Sequence, residues 1–392
     1  MTVRVNKPAL NLREKLSELF KPSGIAGEAM LRANSVQEQR NLISAGRKNL
    51  IINGGMQIDQ RGTLGSPDTG TFMRSVDGNW FCPEASDGAA SYEQIADAPS
   101  GTGLSYSQKV TVTTADTSLA SDNRLCPTQG TEGYDWNRLE WGTATAKTVA
   151  VQFWVKSSVI GTYGFSIRTG GGGMSYTQPY TISSANIWEK KTFTIAGPTS
   201  ILGGSVSATN GTAWYLIFGL GFGSGFDTGA DTTWTAIGNG QGRAAHTNLL
   251  ATNGATWQLT GFQIEEGSVA TDFEHRSYGE ELALCQRYFV RFNGNTEHIG
   301  QNYSGASIDI NVALPVYMRS TPTLVCEDAN GTANTASVYS GGYNHGISAA
   351  ISAGRTRGNQ TMIRMTGTLS PAGAVNDCVQ VQFDDLQFSA EL

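Results

Sequence analysis

Apolar residues recur at every second position through much of this chain. Trp214, Leu216, Phe218, Leu220 and Phe222 form the longest such run, and Val149, Val151, Phe153 and Val155 form another, as do Tyr163, Phe165 and Ile167. Successive side chains of an extended strand point to opposite faces, so a period of two places each set on one buried face. Turn-rich stretches such as residues 170–173 separate the runs, and no helical stretch intervenes. Strands spaced in this way pair antiparallel, which predicts a sandwich or jelly roll. Glycine, at 48 of 392 residues, supplies the positive φ that many tight turns require.

The pattern divides the chain. Residues 1–48 are poor in aromatics, and Asn11 caps a segment whose Leu12, Leu16, Leu19 and Phe20 fall at helical spacing. Ser35 and Glu38 form a capping box that opens a second short helix. Helices this short are not stable alone, which predicts that their apolar stripes are buried against partner subunits or a larger assembly. The alternative is packing on the β-domain that follows. Alternation then defines a β-domain at 49–275. Leu282, Cys285 and Phe289 share one face of a linking helix expected from about Tyr278 to Phe289, within a connector at 276–290. Alternation resumes with Ile308, Ile310, Val312 and Leu314, then Val379, Val381 and Phe383, and predicts a second, smaller β-sandwich at 291–392. The fold class expected is mostly β, with N-terminal short helices, a jelly-roll β-sandwich, a linking helix and a second smaller β-sandwich.

Composition narrows the function. A net charge of −6 argues against a surface built to displace counterions from nucleic acid. No apolar run approaches the length of a membrane span, so no membrane insertion is expected. Cys82, Cys126, Cys285, Cys326 and Cys378 are widely spaced with no C-x-x-C, which predicts buried free thiols. His246, His275, His298 and His345 are isolated, so neither a metal nor a cofactor is expected. Glu265 and Glu266, like Asp384 and Asp385, are adjacent. Neighbours in a strand point apart, so neither pair makes a glycosidase dyad by itself. No catalytic residue is assigned, and a non-enzymatic chain is expected.

Several segments resemble known families. Residues 49–56 (NLIINGGM) are similar to the opening strand of jelly-roll carbohydrate-binding modules, and residues 151–158 (VQFWVKSS) to their central strand. Residues 188–195 (WEKKTFTI) and 259–265 (LTGFQIE) resemble two later strands, the second of them closing the fold. Residues 22–32 (PSGIAGEAMLR) and the helix from Leu282 to Phe289 resemble segments of tailed-bacteriophage fibre and virion-appendage proteins. That resemblance implies a homotrimeric tail fibre, assembled in the host cytoplasm. Residues 1–48 would dock on virion proteins and the β-domains would meet host cell-surface polysaccharide. A head fibre or capsid decoration protein is the alternative, and a polysaccharide depolymerase comes third.

Saccharide binding needs exposed rings for the apolar face of a sugar and polar groups for its hydroxyls. The densest cluster of that kind is Tyr134, Trp136, Arg138 and Trp141, expected in or beside a turn. Tyr176 follows the glycine-rich turn at residues 170–173, and Tyr343 falls in a second glycine-rich stretch. These six are the candidate ligand-binding residues. The competing assignment for the rings is core filling, which is also the expectation for Trp154, Trp214 and Trp257.

Overall fold

The computed structural model describes residues 47–62, 72–237, 239–302, 307–328, 331–340, 343–346, 352–353, 362–368 and 378–391. The two N-terminal helices expected within residues 1–48 lie outside the described residues. The first domain contains thirteen strands: β1 (Phe72–Met73), β2 (Trp80–Ala85), β3 (Ala89–Ile95), β4 (Ser107–Thr114), β5 (Arg124–Leu125), β6 (Thr128–Glu132), β7 (Val149–Ser157), β8 (Gly161–Thr169), β9 (Ser175–Ile182), β10 (Glu189–Ile195), β11 (Thr212–Gly219), β12 (Gly221–Phe222) and β13 (Thr256–Glu266). A short helix, α1 (Gly133–Trp136), follows β6.

Two antiparallel sheets result. One has eight strands in the order β12-β5-β2-β6-β11-β8-β9, with β1 on β2, and the other has five in the order β10-β7-β13-β4-β3. The alternating residues meet between them. Phe153 of the five-stranded sheet lies edge-on to Phe218 of the eight-stranded sheet, ring centroids 5.1 Å apart, and Phe165 packs on Phe262 at 5.7 Å. All four rings are fully buried. The resemblance placed strands at residues 151–158, 188–195 and 259–265; β7, β10 and β13 run through them and are neighbours in one sheet.

A bulge keeps β13 in register with the core. Trp257 and Leu259 face inward, and so do Phe262 and Ile264, although the step from Leu259 to Phe262 is odd. The pairing with β7 shifts between Thr260 and Gln263, where Gly261 takes φ +61°. The extra residue restores inward orientation for the second half of the strand.

Residues 49–56 do not form the opening strand that the resemblance led us to expect. The segment is irregular, and the Asn49 side chain takes the place of strand pairing. Its Oδ1 accepts from the N–H groups of Ile51 and Ile264, and its Nδ2 donates to the Phe262 carbonyl at 3.2 Å. Only Leu50 N–H to Ile264 O and Phe262 N–H to Gly54 O join the two backbones directly. The connector clamps the same segment. Arg276 donates to the carbonyls of Asn49 and Ile51, and the Glu274 carboxylate accepts from the N–H groups of Lys48 and Asn49.

The linking helix α2 (Tyr278–Gln286) starts at a capping box formed by Ser277 and Glu280. It ends before Phe289, which instead begins the next strand. The second domain contains β14 (Phe289–Asn302), β15 (Ser307–Ala313), β16 (Thr323–Glu327), β17 (Ser337–Ser340), β18 (Tyr343–Gly346), β19 (Ser352–Ala353), β20 (Met362–Thr368) and β21 (Cys378–Ser389). These strands join in one eight-stranded antiparallel sheet with β21 and β14 at its centre. The expected alternation holds here, with Ile308, Ile310, Val312, Val379, Val381 and Phe383 all in the domain's core.

Cys82, Cys126, Cys285 and Cys326 are buried free thiols, whereas Cys378 is exposed at the start of β21. No helix among the described residues is long and apolar enough to cross a membrane.

Candidate functional site

The structure separates the six sequence candidates. Trp136, expected as an exposed stacking ring, is 3% exposed. It packs against Trp141 at 5.1 Å and Trp214 at 6.4 Å. Trp141 touches Trp214 and Trp234, and Tyr176 touches Trp234 in turn. Trp136, Trp141 and Tyr176 are therefore parts of one aromatic cluster at an end of the sandwich. The reason is local: α1 turns Trp136 inward onto β11, while Tyr134 on the same turn stays 62% exposed. Arg138 is also structural, since its guanidinium donates to the carbonyls of Arg47 and Lys48 at 3.0 Å each. Tyr343 sits in a strand rather than a loop, opposite Ser340 in the β17–β18 hairpin, and its side chain lies outside what is described.

A different set of side chains forms a groove, on the outer face of the eight-stranded sheet. The register of the strands defines it. Tyr215 of β11 lies between Gly130 of β6 and Arg168 of β8. Two residues along, Ile217 lies between Thr128 and Ser166, and Thr128 is partnered in turn by Phe81 of β2. Positions two apart share a face, so Tyr215, Ile217, Arg168, Thr128 and Phe81 all point away from Trp214, Leu216 and Phe218. Phe81 meets Tyr215 edge-on at 6.1 Å.

Phe81, Pro83, Thr128, Tyr215 and Ile217 form the floor of a cavity of about 240 Å³, and Arg74, Arg124, Arg168 and Gln241 form its wall. The long connection from β12 to β13 supplies Gln241. It is pinned by backbone hydrogen bonds from Gln241 N–H and Gly242 N–H to Phe226 O, and from Thr228 N–H to Gly242 O.

The groove is cationic. Its lining contains three arginines and, among the described residues, no carboxylate. The Arg124 guanidinium stands 5.0 Å over the Phe226 ring and donates to Gln241 Oε1 at 3.4 Å, while its buried Nε has no hydrogen-bond partner. Arg74 pairs with Glu391 Oε2 at 2.9 Å and lies 5.2 Å over the Phe81 ring. Burial lowers the Arg74 and Arg168 guanidiniums from their ordinary value, and Arg124 adds to the effect on Arg168. The Cys126 thiol behind the wall is pushed up to about 11 by burial, so it stays protonated at neutral pH. The groove therefore offers an apolar floor and convergent N–H donors, which is the chemistry of holding an oxygen-rich ring.

The sequence did signal these residues. β11 reads T-A-W-Y-L-I-F-G, apolar at both parities, and a strand that is apolar on both faces has both faces covered. Reading only the stronger parity conceals Tyr215 and Ile217. Among the described residues, no group of three or more His, Cys, Asp or Glu side chains is placed to hold a metal ion.

No protein-family model matches the chain, and no curated protein sequence does. Solved structures similar to it include the enzymatically active domain of tailspike protein 4 from bacteriophage CBA120, with 11% identity over 56% of this chain and a TM-score of 0.31. The matched part spans 21% of that tailspike chain. A putative sugar-binding protein from Bacteroides thetaiotaomicron is similar over 56% of this chain and 100% of its own, at 11% identity and a TM-score of 0.32. The family 11 carbohydrate-binding module of the Clostridium thermocellum cellulase Lic26A-Cel5E covers 54% of this chain and 100% of its own, at 11% identity and a TM-score of 0.25.

Proposed function

We propose that this chain is a saccharide-binding protein without catalytic activity, and that its first domain takes a sugar in the groove over Tyr215. The observation that carries the reading is the combination of an apolar floor with convergent arginine and glutamine donors on the outer face of a rigid sheet. Rings and aliphatic groups in the floor receive the C–H face of a pyranose, and the wall donates to its hydroxyls. At about 240 Å³ the cavity is smaller than the roughly 300–1,000 Å³ typical of pockets for drug-sized ligands, so it takes one sugar residue rather than a long chain segment.

The biological setting we propose is a homotrimeric phage tail fibre that attaches the particle to host-surface polysaccharide. This part rests on the resemblance of residues 22–32 and 282–289 to fibre proteins. Residues 1–48 would serve as the virion-docking segment.

Titration calorimetry of the full chain against a panel of purified bacterial polysaccharides tests the binding reading. Binding without any change in polymer size is expected. Release of oligosaccharides would instead make the chain a depolymerase, and no binding to any polymer would remove the reading. Light scattering of the full chain and of a chain beginning at Arg47 tests the assembly: a trimer that weakens on truncation is expected, and a monomeric full chain excludes it. Electron microscopy of the particle separates tail from head attachment.

A further inference from the structure

We propose that the sugar accepted by this groove is acidic, carrying a carboxylate or a phosphate that the arginines receive. The inference rests on the saccharide-binding reading above and names the ligand class of that same site. A neutral sugar needs mixed donors and acceptors, because each hydroxyl both donates and accepts. This lining is weighted toward donors: three arginines only donate, Gln241 Oε1 is already engaged by Arg124, and the remaining side-chain acceptors are the hydroxyls of Thr128 and Tyr215. Half-buried like charges lining one groove are costly unless an anion completes the site.

Arg124 is the sharpest case. Its neighbours are a glutamine oxygen, an aromatic face and an unpartnered buried Nε, with no ion pair to a carboxylate among the described residues. Arg168, from β8, lines the same groove, and its guanidinium is lowered first by burial and further by the charge of Arg124. An oxyanion bound in this groove offsets the arginine charge and takes charge-assisted hydrogen bonds. Arg74 is different, because Glu391, close to the end of the second domain, already holds it at 2.9 Å. Glu391 also meets Arg61 at 2.9 Å, but Arg61 has Asp77 as a second partner at 2.7 Å, so among the groove arginines Glu391 offsets Arg74 alone.

The test is titration of the full-length protein against polygalacturonate, polysialic acid and a phosphodiester-linked teichoic acid. The neutral controls are carboxyl-reduced polygalacturonate, dextran and galactan. Binding to an acidic polymer, weakened by added salt and absent from the reduced form, is expected. Loss in the carboxylated or the phosphorylated arm shows which oxyanion is recognised. Arg124→Gln and Arg168→Gln should each weaken that binding by about ten- to a hundredfold, with melting temperatures recorded alongside.

Because those variants remove half-buried groups, Glu391→Gln supplies a readout that unfolding cannot imitate. Releasing Arg74 should tighten acidic-polymer binding several-fold. Equal binding of acidic and neutral polymers, or binding that Glu391→Gln and both arginine variants leave unchanged, overturns the acidic assignment while leaving a saccharide-binding protein. Failure of the whole panel to bind overturns the saccharide reading with it.

Discussion

The guanidinium of Arg287 meets both carboxylate oxygens of Glu132 at 2.7 Å, through Nε and Nη2. Glu132 ends β6 and its side chain is 1% exposed, whereas Arg287 caps the C-terminus of α2 and is 28% exposed. The forked pair fastens the connector to the first sandwich. Arg287→Met leaves the carboxylate buried without its partner, and a stability loss of about 3–5 kcal/mol is expected in chemical denaturation. The double variant Glu132→Gln/Arg287→Met should recover part of that loss. If the single and double variants are equally unstable, the cost does not come from the stranded charge.

Trp136 belongs to the core cluster with Trp141 and Trp214. Trp136→Ala and Trp214→Ala are therefore expected to behave alike, each costing on the order of 3–5 kcal/mol. Tyr134→Ala, at an exposed position on the same helical turn, should change stability by less than about 0.5 kcal/mol. Melting curves of the three variants check this. A Trp136→Ala protein as stable as the parent would contradict its burial.

The irregular segment 49–56 depends on one amide and one glycine. A methyl group at Gly54 would stand 2.1 Å from the Phe262 carbonyl oxygen, so Gly54→Ala must displace the segment from β13. Asn49→Ala strands the N–H groups of Ile51 and Ile264 and the Phe262 carbonyl. A loss of about 1–3 kcal/mol is expected for Asn49→Ala. Hydrogen exchange should accelerate at Ile264 ahead of the rest of β13, and uniform acceleration along the strand would argue against this local role.

Asp77 makes stability depend on pH. Burial raises its carboxyl to about 7, against the pull of Arg61 at 2.7 Å. The unfolded chain releases this proton near pH 4 and the folded chain only near pH 7. Between those values the folded state binds more protons, so this group's contribution to stability falls as pH rises through that window and is level on either side. Unfolding free energies measured from about pH 4 to about pH 8 should decline more steeply for the parent than for Asp77→Asn. Parallel curves would show that Asp77 titrates as it does in the unfolded chain.

Periodicity alone located much of the first sandwich core, because burial on one face of a strand imposes a period of two. Phe153, Phe165, Trp214 and Phe218 are all buried where that rule places them. It fails at residues 49–56, where side-chain amide hydrogen bonds replace a strand ladder and leave no periodic trace. The bulge at Gly261 was equally invisible as a bulge, although the glycine itself is plain in the sequence.

The candidate site shows the same division more sharply. Aromatic density around residues 134–141 drew attention to rings that fill the core, because α1 rotates Trp136 inward and adjacent positions on a helical turn face different surroundings. The groove residues come from the β1–β2 connection, β2, β5, β6, β8, β11 and the β12–β13 connection, so no local window of sequence contains them. Sequence by itself determined the strand-rich character, the alternating core and the presence of a helix after the first sandwich, since each depends on neighbours a few positions apart. Only the tertiary structure decided which aromatic rings are covered and which arginines converge, because strand order and register bring Arg124, Arg168 and Tyr215 together across long stretches of chain.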